Sequence, residues 1–260
     1  MVRLATVGTS AITEKFLSAA RKTGRFELVT CYSRTGEKGE AFAKAQGFKG
    51  CCTDITELAK SPDINAVYIA TPNSLHYAQS RIFLENGKHV LCEKPITASA
   101  KEYDALLKLA DEKGVIYAEA IMSRHFKGRK ILFNALSEIG DISAARIDYC
   151  QRSSRYDAFK SGEHMNIFDM SLGAGTLTDL GVYCVYAAVD MFGMPQSVKA
   201  SAAFFDNGAD KSGSAIFEYD GFTAALSYSK AGQSAIGSEI IGDGGAVKIG
   251  SVSQYADISL

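Results

Sequence analysis

Up to about residue 121, short apolar runs alternate with stretches in which apolar side chains recur every three or four positions. The runs at 4–7, 26–32, 66–70, 90–92 and 115–118 read as strands. Between them the periodicity predicts helices over 12–22 and 37–46, a short helix capped by Asp54, and one opened by Asn73 or Ser74 and ending near Gly87. An amphipathic helix follows, opened by Ser99, running to Lys113 and stopped by Gly114. Strand-helix units of this length imply right-handed crossovers and a parallel sheet covered on both faces.

Beyond residue 121 the grammar changes. A helix over 127–138 precedes a strand over 142–151, a polar stretch and a helix over 175–192. Strand-like runs separated by turns follow at 197–205, 212–219, 223–229, 238–241 and 246–249. The expected fold class is therefore α/β: a doubly wound parallel domain over 1–121, then an α+β domain with a mainly antiparallel sheet over 122–260. Neither an internal repeat nor a low-complexity linker separates them, so close packing of the two parts is expected.

Composition narrows the classes of partner. With 260 residues, 47% hydrophobic content and a net charge of -1, the chain can bury two ordinary cores and lacks the basic excess of a nucleic-acid binder. The first eight residues are too short an apolar stretch for a signal peptide, and no later run reads as membrane-spanning, which points to a cytoplasmic protein without a membrane partner. Six scattered cysteines without a Cys-x-x-Cys, and four histidines without ligand spacing, imply reduced thiols and no metal.

Candidate chemistry starts where the first strand runs into Gly8-Thr9-Ser10-Ala11-Ile12. This has the first glycine of the Gly-x-Gly-x-x-Gly fingerprint, with serine second and Thr13 third. The junction offers backbone N–H groups and a positive helix end to a pyrophosphate, although an ordinary βα turn reads the same way. After the second strand, Cys31-Tyr32-Ser33-Arg34-Thr35 lacks the carboxylate that would bind the ribose of NAD. Ser33 and Arg34 instead suit a 2'-phosphate, which favours NADP(H) over NAD(H); a solvated arginine is the alternative, and Glu37 is close enough for a ribose contact.

Further along, Thr71-Pro72-Asn73 forms a tight turn whose backbone is expected near the cofactor ribose, and His76 falls in the first helical turn after it. In Cys92-Glu93-Lys94-Pro95 a strand delivers a cation to a turn, and Pro95 favours an extended Lys94 at the sheet's carboxyl end, where open α/β sheets bind ligands. Asp179 and Tyr183 stand four residues apart after a glycine-rich helix start, which puts them on one helix face. A carboxylate orienting a phenol suits proton transfer coupled to hydride transfer, yet such spacing also arises in plain core helices. Arg124 lies in a basic stretch that is either a solvated face or within reach of the crevice.

Taken together, Gly8-Thr9-Ser10-Ala11-Ile12, Ala70-Thr71-Pro72-Asn73-Ser74-Leu75-His76, Glu93-Lys94-Pro95 and Gly175-Thr176-Leu177-Thr178-Asp179-Leu180-Gly181-Val182-Tyr183 resemble the glucose-fructose oxidoreductase/inositol dehydrogenase/MocA family, in order and spacing over nearly the whole chain. The resemblance implies a Rossmann domain, a second domain with a large open sheet, and reversible NAD(P)-dependent oxidation of sugars, polyols or related diols. By position, it implies that Lys94 is the catalytic lysine, Asp179 its aspartate partner and Tyr183 the residue held by histidine in inositol dehydrogenase-like members. The candidate cofactor contacts are Gly8, Thr9, Ser10, Ala11 and Ile12, Ser33 and Arg34, and Thr71, Pro72, Asn73, Leu75 and His76. Glu93, Lys94 and Arg124 complete that set.

Substrate would enter between the domains, and a homodimer or homotetramer would form through the second sheet. Ser10 at the second fingerprint position departs from the family pattern, and relatives generally continue past the equivalent of Leu260, which implies an incomplete last sheet edge or a truncated sequence. Two other functions fit the same scaffold: a dinucleotide- or sugar-sensing regulator without chemistry, and a reductase of a non-sugar substrate such as a tetrapyrrole or an imine.

Overall fold

Val2–Val7 (β1), buried over its last four residues, is central to the first sheet of the computed structural model, which describes residues 1–260. The chain continues through Ala11–Thr23 (α1), Phe26–Tyr32 (β2), Gly36–Gln46 (α2), Gly50–Cys52 (β3), Ile55–Lys60 (α3) and Ala66–Ile69 (β4). His76–Glu85 (α4), His89–Cys92 (β5), Ala100–Lys113 (α5) and Tyr117–Glu119 (β6) complete a compact unit, Met1–Ala120. All six strands are parallel, in the order β3-β2-β1-β4-β5-β6.

Alternating side chains of the central strands feed two cores, one on each face of this sheet. Ala5, Val7, Val67 and Ile69 pack with Phe83 and Leu84 of α4 and Leu106 and Ala110 of α5. Leu4, Tyr68 and Ala70 pack on the other face with Leu17 of α1 and Phe42 of α2. Helix ends follow the caps legible in the sequence: the Asp54 carboxylate accepts from Thr56 N and Glu57 N, and Ser99 Oγ accepts from Glu102 N. Gly114 ends α5 in the left-handed conformation.

The second unit, Ile121–Leu260, contains Lys127–Leu136 (α6), Ile142–Cys150 (β7), Tyr156–Lys160 (α7) and Val182–Phe192 (α8). Six more strands follow: Ser197–Phe204 (β8), Asp210–Glu218 (β9), Thr223–Ser229 (β10), Ser238–Gly242 (β11), Ala246–Ser251 (β12) and Ala256–Ser259 (β13). They form a seven-stranded sheet with β7, in the order β13-β12-β11-β7-β10-β9-β8. Every pair is antiparallel except β7 with β10. Leu132 and Ala135 of α6 and Cys184, Ala187 and Ala188 of α8 bury Ile147, Leu226, Ile240 and Ile249.

Three features depart from the sequence expectation. The helix expected over 175–192 is interrupted: Leu177–Gly181 is a π turn leading into α8. The turn ends at Gly181, where a Cβ would lie 2.9 Å from the Tyr228 ring of β10, so this position accepts no side chain. The short strands β3 and β13 carry too few residues to show a period. By length and composition the helical stretch Met170–Phe192, 23 residues, does meet the requirement for crossing a membrane, contrary to expectation. Its α8 portion instead supplies buried core residues to the seven-stranded sheet.

A charged cluster ties α8 to its neighbours. The Asp190 carboxylate, 6% exposed, accepts two hydrogen bonds from Arg129 of α6 at 2.7 and 2.9 Å and one from the Tyr255 hydroxyl at 3.3 Å. Asp190→Ala would strand the guanidinium and the phenol, so we expect a loss of about 2 kcal/mol in unfolding free energy. Urea unfolding of the wild-type and variant proteins checks this value.

Candidate functional site

Strand register decides which candidates of the first unit share an edge. Tyr32, Val7, Ile69, Cys92 and Glu119 lie in one row across β2, β1, β4, β5 and β6. The residues that follow each of them, Ser33, Gly8, Ala70, Glu93 and Ala120, therefore leave the sheet at the same carboxyl edge. The strand order reverses between β1 and β4, and it is outside such a switch point that open α/β sheets hold ligands.

Gly8 sits at that point with φ of 108°, and a Cβ on it would lie 2.3 Å from Ala70 O. No side chain fits there, so the β1 turn runs directly against the end of β4. Ser10 is the N-cap of α1 in extended conformation, but its side chain caps no backbone N–H; its hydroxyl lies 3.4 Å from Thr13 Oγ1. With Thr9, Ala11 and Ile12 it forms a helix start whose N–H groups suit a pyrophosphate. At the end of β2, Ser33 is buried and Arg34 exposed, with no carboxylate between them and Gly36. These residues fit a dinucleotide carrying a 2'-phosphate.

His76 is the first residue of α4, in the helical turn expected from the sequence. It is fully buried, and its Nδ1 and Nε2 lie 2.8 and 3.0 Å from the carbonyl oxygens of Pro95 and Thr71. The imidazole thus sits between the Thr71-Pro72-Asn73 turn and the Lys94-Pro95 turn, whose peptide is cis, within hydrogen-bonding distance of both. Thr71 Oγ1 donates to Gln79 Oε1 at 2.7 Å, and Leu75 is 38% exposed.

Lys94 is half-buried, with its backbone set by its neighbours. Glu93 N donates to Ile69 O, Lys94 N donates to Glu93 Oε2, and the other Glu93 oxygen accepts from the Tyr68 hydroxyl at 2.5 Å. Glu119, which the sequence did not single out, accepts from Ile96 N at 2.8 Å. Burial pushes its carboxyl above the ordinary range, with the Glu93 charge adding to the rise while the Ile96 N–H and Lys94 oppose it. Burial likewise pushes up the Cys92 thiol and the Tyr117 phenol beside them.

In the second unit, Asp179 lies inside the π turn and Tyr183 in the first turn of α8. Isolated π turns are rare and recur at functional sites. The turn is anchored by Asp210 of β9, whose carboxylate oxygens accept from Thr176 N and Leu177 N, each at 2.7 Å. One Asp179 oxygen lies 3.0 Å from the ammonium of Lys230, which is 3% exposed. Tyr183 packs edge-on to Tyr149, with ring centroids 5.7 Å apart. Arg124 is exposed in a short 3-10 turn, its Nε 3.7 Å from Asp190 Oδ1. Asp210 and Lys230 escaped the sequence reading because each lies more than thirty residues from its partner, where no spacing rule operates.

Comparison with known proteins matches both units. Residues 2–121 fit the profile of the GFO/IDH/MocA oxidoreductase family, NAD-binding Rossmann fold, and residues 135–248 fit the GFO/IDH/MocA C-terminal domain. The chain is 41% identical to scyllo-inositol 2-dehydrogenase (NADP(+)) IolU of Bacillus subtilis, covering 97% of this chain and 77% of that one. It is 29% identical to trans-1,2-dihydrobenzene-1,2-diol dehydrogenase of Oryctolagus cuniculus, over 85% of this chain and 68% of the other. Among solved structures, a 3-ketoreductase from Actinomadura kijaniata in complex with NADP superposes with a TM-score of 0.85 at 24% identity, covering 97% of this chain and 77% of that one.

The raised Glu119 carboxyl makes stability pH-dependent in a defined direction. The folded state holds this proton more tightly than the unfolded state, whose carboxyl titrates near 4.5. The resulting contribution is present below that value and is lost as pH rises through the folded value. Glu119→Gln keeps an oxygen for Ile96 N and cannot ionise. Its melting temperature relative to wild type should therefore climb as pH rises above about 4.5, as followed by thermal melts over a pH series.

Proposed function

The chain belongs to the GFO/IDH/MocA oxidoreductase family, and from that membership we propose that it transfers a hydride, with NADP(H) as cofactor, at a CH–OH or carbonyl carbon of a cyclic polyol, sugar or related diol. The observation that carries the cofactor reading is the row of strand ends. Gly8 is pressed against Ala70 O, the start of α1 lacks a side-chain cap, and Ser33-Arg34 stands where NAD-specific sheets place a carboxylate. The identity to an NADP(+)-dependent scyllo-inositol dehydrogenase supports the substrate class.

When bound, the dinucleotide supplies the hydride acceptor or donor. The remaining chemistry falls to the protein. Backbone N–H groups of Thr9, Ser10, Ala11 and Ile12 would hold the pyrophosphate, Arg34 with Ser33 the 2'-phosphate, and the Thr71-Pro72-Asn73 turn with Leu75 and Glu93 the ribose side. His76 would act by locking that turn rather than by touching the cofactor, a role its burial supports. Arg124 would flank the site.

Lys94 would stabilise negative charge developing on the substrate oxygen. Tyr183 would exchange the hydroxyl proton, with Asp179 orienting the reacting groups; the aspartate's placement in a π turn and its ion pair with Lys230 support a fixed position. The open face of the seven-stranded sheet would join copies of the chain. The short polar side chains of Ser201, Ser214 and Ser227 lie in one row across its strands β8, β9 and β10.

Initial rates with NADPH, NADH and their oxidised forms across inositols, aldoses, ketoses and aromatic dihydrodiols test the reading. We expect turnover of at least one polyol or sugar with NADP(H) preferred; tight cofactor binding without any turnover would instead favour a sensor. Lys94→Met should lower kcat by about 10²- to 10⁴-fold with cofactor affinity retained. Arg34→Ala should raise the KM for NADPH far more than for NADH, and equal effects would overturn the 2'-phosphate assignment.

A further inference from the structure

Lys230 is the least expected charge in the second unit. It follows the last residue of β10 in Ser229-Lys230-Ala231-Gly232, a sequence that reads as a solvated turn, yet its side chain is 3% exposed. Lysine is almost never buried to this degree without partners, because the ammonium must recover the hydration it gives up. Three groups meet it: Asp179 Oδ2 at 3.0 Å, the Ile167 carbonyl oxygen at 3.2 Å, and the face of the Phe168 ring, 5.5 Å from its centroid.

Its backbone is equally committed. Lys230 N donates to Lys211 O on β9, and Lys230 O accepts from Ser153 N at 2.8 Å. The ammonium therefore approaches Asp179 from a fixed direction inside the protein, while the Asp179 side chain keeps 44% of its surface exposed. Through Ile167 and Phe168 the same ammonium holds the 3-10 turn Asn166–Phe168, which Asn207 also binds by donating to Phe168 O at 2.8 Å.

We propose that Lys230 is a positioning residue for the reaction: from the interior it fixes the orientation of Asp179 and couples that carboxylate to the 166–168 turn. The proposal rests on the reading of Asp179 given under Proposed function. Lys230 touches neither substrate nor cofactor in this role. Its influence is on kcat, through a carboxylate whose misplacement by an ångström is enough to cost about 100-fold.

The partners differ in burial, so a stability cycle distinguishes a real pair from a coincidental contact. Asp179→Ala leaves a buried ammonium without its counter-charge, whereas Lys230→Met leaves a half-exposed carboxylate that water can reach. The double variant removes both charges. Its melting temperature should therefore exceed that of Asp179→Ala alone; a double variant that melts lower by the sum of the two single effects overturns the pair.

In turnover of the polyol that the wild-type protein oxidises fastest with NADP+, Lys230→Met should lower kcat by about 100-fold and leave the KM for NADP+ within twofold. Lys230→Arg should recover part of the loss, and Lys230→Met should add little in the Asp179→Ala background. A Lys230→Met enzyme within twofold of wild-type kcat, or effects that multiply in the double variant, would overturn the positioning role. If Asp179→Ala itself turned over at the wild-type rate, the reading of Asp179 would fall, and the melting temperatures would still judge the pair.

Discussion

A backbone group that leaves a sheet or begins a helix needs a partner, and in this chain buried or part-buried side chains supply it at the segments that carry the candidate chemistry. His76 lies within hydrogen-bonding distance of the carbonyls of Thr71 and Pro95, Glu119 takes the N–H of Ile96, Asp210 takes those of Thr176 and Leu177, and Lys230 takes the carbonyl of Ile167. Each partner comes from a different element than the segment it satisfies. The turns bearing Lys94 and Asp179 are thereby tied to neighbouring elements although both are partly exposed, which favours placing their charges within a narrow tolerance.

The same requirement governs where charge is buried. Asp190 is nearly inaccessible because Arg129 meets it with two hydrogen bonds, and Lys230 because Asp179 and a carbonyl meet it. Around Lys94 the arrangement differs: Glu93 spends its oxygens on the Tyr68 hydroxyl and on Lys94 N, while Glu119 faces desolvation that its hydrogen bond only partly offsets. One carboxyl is thus committed as a hydrogen-bond acceptor, and the other is drawn toward its neutral form.

Local rules carried most of the fold. The strands at 26–32 and 223–229 and the caps at Asp54 and Ser99 follow from periodicity and side-chain chemistry within a few residues. What escaped depends on distant partners. The helical spacing that joined Asp179 to Tyr183 describes an uninterrupted helix, whereas the chain forms a π turn at Leu177–Gly181, whose last glycine packs against Tyr228, nearly fifty residues later. Likewise, His76 reads locally as a helix-start residue open to a ligand, and only the return of β5 beside β4 brings Pro95 to its ring. The parallel pairing of β7 with β10 inside an otherwise antiparallel sheet is another long-range outcome with no local signature.

The departure at Ser10 becomes intelligible once the three glycines of the dinucleotide fingerprint are separated by their physical reasons. The first must lack a side chain here, because its Cβ would meet Ala70 O at 2.3 Å and its φ is positive. The second serves close approach of backbone to phosphate; Ser10 is exposed, with its short side chain lying toward Thr13 rather than over the backbone N–H groups of the helix start. The third serves helix-strand packing, and Thr13 is accommodated there with no exposed surface at all. A small hydroxyl at each of the last two positions preserves the helix end that receives a phosphate, whereas any side chain at Gly8 would force apart the two strands between which the sheet reverses.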